Sequence, residues 1–158
     1  MIESNQLLFF FSALGAFNGF ILSIYFAINA KKKNFTNYFL SLLLLVLSIR
    51  ILKSVFFFFN PHLSNIFIQI GLSACVLIGP FLFLYLKSYQ KEEKLNWKKH
   101  VIPYFVAITI LGYFYPYVEH RAIWSTRIVC VIYTQWFIYI ILSLKYLRPV
   151  FRKIKEKE

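Results

Sequence analysis

Five apolar stretches, each near the length of a bilayer-crossing helix and each bounded by a short polar or basic loop, limit what this chain can fold into. They run from Leu7 to Ala30, Phe35 to Phe59, Ile66 to Leu86, Val101 to Val118 and Ala122 to Leu147. A helix rising 1.5 Å per residue needs about 20 apolar residues to cross the hydrocarbon. None of the stretches alternates with the period of two required of a transmembrane barrel strand, so the spans are read as helices, which close their backbone hydrogen bonds internally. Composition agrees, with 59% of residues hydrophobic and 15% charged, against about 25% charged in a soluble domain. The expected fold class is all-α: a polytopic transmembrane bundle of five spans over residues 1–147, followed by a basic tail at 148–158. The first stretch is too long for a signal-peptide core and has neither a basic start nor a small-residue cleavage site, so it is kept as a span.

Charge placement predicts orientation. Lys31, Lys32 and Lys33 follow the first span, and Lys87, Lys91, Lys94, Lys98 and Lys99 surround the loop after the third. Lys145, Arg148, Arg152, Lys153, Lys155 and Lys157 close the chain, which makes fourteen of the eighteen basic residues. Short loops rich in Lys and Arg mark the cytoplasmic side. The other side has only Arg121, near Glu119, and Arg127, and its loop from Asn60 to Asn65 carries no formal charge beyond His62. The N-terminus is therefore expected outside and the C-terminus in the cytoplasm. Tyr115, Tyr117 and Trp124 fit an outer aromatic belt, and Tyr38, Tyr89, Trp97, Tyr104 and Tyr146 an inner one. The net charge of +12 is split among three juxtamembrane loops, so the partner it implies is a bilayer with anionic headgroups at the cytoplasmic face, not nucleic acid.

Helices already in lipid associate through small residues and interhelical hydrogen bonds. Gly15 and Gly19, extended by Ser23, make one small-residue face at four-residue spacing, and Gly71, Cys75 and Gly79 make another. Both read as packing seams within the chain, with a homodimer seam as the alternative. Asn18, Gln69 and Gln135 are candidates for interhelical hydrogen bonds. Cys75 and Cys130 lie in separate spans and read as small apolar residues. Pro80, preceded by Gly79, frees a carbonyl one turn earlier and bends its helix, which marks a hinge or a fixed kink. Pro103 is placed in the first turn of the fourth helix, where proline is tolerated.

Catalytic constellations are weak. Gly71-Leu-Ser-Ala74 approaches the Gly-x-Ser-Gly of rhomboid-type proteases, but Ala74 replaces the last glycine, and His62, His100 and His120 all fall at or near span ends, away from Ser73. The acids Glu3, Glu92, Glu93, Glu119, Glu156 and Glu158 lie outside the spans, and no H-E-x-x-H pattern occurs. No catalytic residue, metal ligand or cofactor is expected. What remains is Arg50 and Lys53, two cations inside the second span. A charge at a helix centre costs about 2.5 to 3.5 kcal/mol on insertion scales and marks a functional candidate. Counted from Phe35, they stand about 22 and 27 Å along the helix, in the outer half of the bilayer. Either they snorkel outward on their aliphatic stems, or, with Gln69, they are ligand-binding residues for an anion or a carbonyl.

The segment around them also carries a resemblance. Leu47-Ser-Ile-Arg-Ile-Leu-Lys-Ser-Val-Phe56, then Ile78-Gly-Pro-Phe-Leu82 with Tyr85-Leu-Lys-Ser88, and His100-Val-Ile-Pro103 look like the membrane-embedded N-terminal sensor of a bacterial group of AraC-type transcriptional regulators. Leu8 to Leu22 and Gln135 to Leu144 also fit, so the similarity covers nearly the whole chain. The resemblance implies a bacterial inner-membrane, multi-pass sensor of about seven helices in front of a helix-turn-helix DNA-binding domain. This sequence stops at Glu158, before the last two spans and the DNA-binding helices, so direct nucleic-acid binding is not carried over to it. A separate DNA-binding partner is expected if the gene is split. The function expected is a membrane sensor or signalling module, and the alternative is a small transporter or channel subunit acting as an oligomer.

Overall fold

The computed structural model describes residues 2–30, 35–60, 63–89 and 95–155. Lys31, Lys32, Lys33, His62, Lys91, Lys94 and residues 156–158 lie outside that set. Among the described residues every regular element is helical: α1 (Ile2–Ile28), α2 (Phe35–Phe59), α3 (Asn65–Tyr89), α4 (Trp97–Phe114) and α5 (Val129–Lys155), the last entered through a π-helical segment, Ile123–Ile128. Among the described residues four stretches are long and apolar enough to cross a membrane: Gln6–Ile28, Phe35–Phe59, Asn65–Tyr89 and Ile123–Leu147. α4 is the shortest, at 18 residues, and its bounds differ from the Val101 to Val118 expected. Tyr115 precedes Pro116, a position from which the α region is sterically excluded, and it leaves the helix at φ −128°, ψ 75°. Because α4 already begins at Trp97, Pro103 lies in its second turn and not in the first. At the other end of the chain, the basic segment from Arg148 continues α5 as helix as far as Lys155.

α3 is the hub. It packs against α2, α4 and α5, while among the described elements α1 packs on α2 alone. One buried cluster, toward the Tyr89 end of α3, joins Phe39, Leu43 and Val46 of α2 to Leu77, Phe81, Phe83 and Leu84 of α3 and Tyr139 of α5. A second, toward the Asn65 end, joins Ile68, Leu72 and Val76 to Ile108, Trp124 and Ile132. By contrast, α1, α4 and α5 turn many large apolar side chains outward, among them Phe10, Phe17, Tyr113, Val131 and Phe137, each more than 60% exposed. Such a surface is an aggregation liability in water and the solvated face in lipid.

The interhelical contacts are made where a side chain is missing or a hydroxyl is free. Ser23 of α1 donates to the Ser41 carbonyl of α2 at 2.9 Å, and Ser41 donates back to the Ser23 carbonyl at 2.8 Å. One turn earlier on α1, a Cβ on Gly19 would collide with the Ser48 hydroxyl, whereas Gly15 has nothing within 4 Å. Gly112 of α4 gives the same kind of clearance to the Gln69 amide, which donates from α3 to the Ile108 carbonyl at 2.8 Å.

Pro80 sets the α3–α5 contact. Proline has no N–H, so the Val76 carbonyl lacks its intrahelical donor, and a bare carbonyl is costly in hydrocarbon. Gln135 of α5 supplies the missing donor, its Nε2 lying 3.1 Å from Val76 O. The next residue of α5, Trp136, donates its indole N–H to the neighbouring Cys75 carbonyl at 2.8 Å. One turn further along, the Tyr139 ring lies against Gly79, where an added Cβ would sit 3.2 Å from it.

Candidate functional site

Arg50, Lys53 and Phe57 fall on one face of α2, at helical spacings of three and four, and this face looks toward α3 and the α5 side of the bundle. The stem of Lys53 passes over Gly71, at a point where any Cβ would collide with it. Its ammonium lies 5.6 Å from the centre of the Phe57 ring. Arg50 reaches across to α5, with its guanidinium 5.2 Å from the Trp136 ring. A third cation lies at the helical start just before the π-helical segment: the Arg121 guanidinium is 5.7 Å from the Phe57 ring. Phe57 is in turn edge-on to Tyr117 at 6.1 Å, and Tyr117 packs on Trp124 at 6.4 Å.

Trp124 does not occupy the lipid boundary expected of it. It is fully buried, and its indole donates to the Tyr115 carbonyl at 2.7 Å. The turn before Pro116 folds back under the start of the π-helical segment, so that a ring read as a belt residue becomes the plug between α4 and α5. π-helical turns inside α-helices recur at functional sites.

Two aromatic rings thus carry three cations, Arg50 on Trp136 and Lys53 with Arg121 on Phe57, and among the described residues none of the three has a carboxylate in ion-pair distance. Each cation–π contact offsets about 0.5 to 2 kcal/mol, less than the roughly 2.5 to 3.5 kcal/mol that one charge costs at a helix centre. The cluster is therefore electrostatically incomplete, with like charges gathered and no counter-charge between them.

Gln69 stands apart from this group. It faces α4, and with Ser73, Leu77, Ile49, Phe105 and Thr109 it lines a cavity of about 520 Å³ between α2, α3 and α4. The walls of that cavity are mainly apolar. Ser73 lies in it, while His100 and His120 pack against Tyr139 and Tyr115 respectively. Among the described residues no three His, Cys, Asp or Glu side chains are grouped to hold a metal ion.

A second polar group sits at the far end of α3. His100 Nδ1 lies 3.3 Å from the Tyr139 hydroxyl, with the Phe83 ring 5.0 Å from the imidazole and Tyr104 on the other side of Tyr139. His100 precedes the apolar part of α4, outside the four candidate spans. Burial, followed by the charge of Lys87, holds its imidazole below the ordinary value of 6.5.

Of the residues singled out from the sequence, the structure brings Arg50, Lys53, Gly71 and Cys75 together, and it sets Gly79 and Pro80 against α5 two turns away. Gly19 belongs to the α1–α2 contact, against Ser48, whereas Gly15 is exposed and meets no neighbour within 4 Å. Arg121, Phe57 and Trp136 join the cluster without a sequence signal of their own beyond Arg121 being one of two basic residues on the sparsely charged side. No protein-family model, curated protein or solved structure matches the chain.

Proposed function

We propose that the chain is a non-enzymatic sensor module of the bacterial inner membrane, with five spans including α4, the N-terminus outside and the C-terminus in the cytoplasm. In organisation it would be similar to the front of a membrane-bound AraC-type regulator. The observation that supports this reading is the pairing of Gln135 with Val76 O. Pro80 leaves the α3 hydrogen-bond ladder open, and the open rung is closed by a different helix. A change in the bend of α3 therefore requires α5 to move, and α5 runs on to the basic end of the chain.

The test uses spin labels at Tyr89→Cys and Lys145→Cys in the full chain, with Cys75→Ser and Cys130→Ser, reconstituted in bilayer nanodiscs. Pro80→Ala, which restores the N–H to Val76 O, should shift or narrow the distance distribution between the ends of α3 and α5. A distribution unmoved by that change would remove the coupling on which the reading stands. The cavity between α2, α3 and α4 favours a second reading, a transporter or channel subunit acting as an oligomer. Flux of an anionic solute through reconstituted protein would support that reading over the first.

A further inference from the structure

We propose that Arg50, Lys53 and Arg121 form a recognition site for one oxyanion, a phosphate or a carboxylate. This names the ligand class of the sensor and rests on that reading for its consequence, though not for binding itself. The three cations come from two separate stretches, α2 and the helical start before the π-helical segment, and two of them share the Phe57 ring, at 5.6 and 5.7 Å. Snorkelling does not account for Arg50. Its guanidinium turns sideways onto Trp136, whose own indole is held at the Cys75 carbonyl, well inside α3 from its start at Asn65. Arg121 is exposed, at the first helical residue after the turn that follows α4, and its guanidinium lies against the Phe57 ring.

Gly71 leaves room for the Lys53 stem to lie over α3, and α2 and α5 make no close backbone approach to each other among the described residues. A tetrahedral or planar oxyanion has lone pairs enough to accept from a guanidinium and an ammonium at once, and charge-assisted bonds of that kind are the strong ones. An oxyanion would also supply a counter-charge that no described residue provides here, as intramembrane cations generally require. The same chemistry is offered by the headgroup of an amphiphile lying against α5 and by a free anion from the outer side.

The experiment follows tryptophan emission of the full chain in neutral maltoside micelles, since Arg50 stacks on Trp136 and its withdrawal alters that ring's surroundings. Dodecyl phosphate, dodecanoate, inorganic phosphate and uncharged dodecanol are titrated in turn. Saturable binding of dodecyl phosphate or dodecanoate, and none of dodecanol, is expected. Arg50→Gln, Lys53→Gln and Arg121→Gln should each weaken it about tenfold or more, the loss of one charge-assisted bond. Arg127→Gln, on an exposed side chain of the same outer end, should leave it unchanged. Should Arg50→Gln prove unstable, Arg121→Gln reads the same site from an exposed position. Competition by inorganic phosphate at equal concentration assigns a free anion as the source, and its failure to compete assigns the amphiphile. The proposal is overturned if no oxyanion binds saturably, or if Arg127→Gln weakens binding as much as Arg50→Gln does. Binding that leaves the α3–α5 label distance unchanged keeps the site and refutes the sensor reading.

Discussion

Gln135→Leu removes the amide that closes Val76 O while keeping much of the side chain's bulk. A typical interhelical hydrogen bond in a membrane protein contributes about 0.6 to 2 kcal/mol, because the bereaved group usually finds another partner. Val76 O has no backbone alternative, since residue 80 is proline. The cost should therefore approach that of leaving a buried acceptor unsatisfied, about 1 to 3 kcal/mol. Pro80→Ala returns an N–H to the position from which Val76 O would normally accept, and in that background Gln135 becomes dispensable. The four proteins of the double-mutant cycle, unfolded reversibly in mixed micelles of rising anionic-detergent fraction, should give a coupling of about 1 to 2 kcal/mol between the two sites, well above the roughly 0.3 to 0.5 kcal/mol within which independent positions add. If Gln135→Leu costs as much in the Pro80→Ala background as in the parent chain, the 3.1 Å contact is incidental and the account of the kink is wrong.

Three further outcomes are open to the same preparation. Gly71→Leu places a side chain where the Lys53 stem runs, so it should destabilise by about 1 to 3 kcal/mol, as overpacking does, and Lys53→Ala should relieve most of that loss. Ser23→Ala and Ser41→Ala each break the reciprocal clasp between α1 and α2; each should cost about 0.6 to 2 kcal/mol, and the pair together less than the sum. His100 is held below 6.5 by burial and then by Lys87, so its contribution to stability is whole above that value and declines as the pH falls from there through the lowered folded value. Thermal unfolding midpoints between about pH 8 and pH 5 should drop accordingly, and His100→Phe should flatten the profile.

The helical spans were legible because apolar runs of about 20 residues end at charges, a signal local to the sequence. The partners across helices were not. A glycine in such a run announces close approach without naming the neighbour, and the neighbours of Gly19, Gly71, Gly79 and Gly112 are Ser48, Lys53, Tyr139 and Gln69, each supplied by another helix. Pro80 announced a free carbonyl, but nothing within α3 says that Gln135 would reach it across 59 positions. Trp124 was read as a lipid-boundary ring because hydropathy does not register the turn at Tyr115 and Pro116 that carries it inward. For the same reason Arg121 read as a loop charge: its approach to Phe57 depends on that turn and on the π-helical segment after it. Arg50 and Lys53 stood out as charges in an apolar run, whereas the placing of Gln69 on the opposite flank of α3 depends on where α4 packs.

On the sensor reading, the position of the cation cluster relative to the kink has a quantitative consequence. Arg50 stacks on Trp136, and Trp136 and Gln135 are consecutive residues of α5 that hold consecutive carbonyls of α3, Cys75 and Val76. An anion that draws the guanidinium away therefore acts on the same turn of α5 that closes the open rung. A ligand shifts a conformational equilibrium only by its differential affinity for the two states. If the states differ in whether Val76 O is capped, their separation is on the order of one unsatisfied acceptor, about 1 to 3 kcal/mol. That range coincides with the coupling energies of known allosteric systems, which correspond to about 5- to 150-fold in affinity. A single hydrogen bond across the Pro80 gap is thus large enough to be the two-state element, provided that Pro80→Ala, by filling the gap permanently, abolishes the response to anion while leaving the Arg50 site able to bind. Retention of a full α5 displacement on anion binding in Pro80→Ala would locate the switch elsewhere in the bundle.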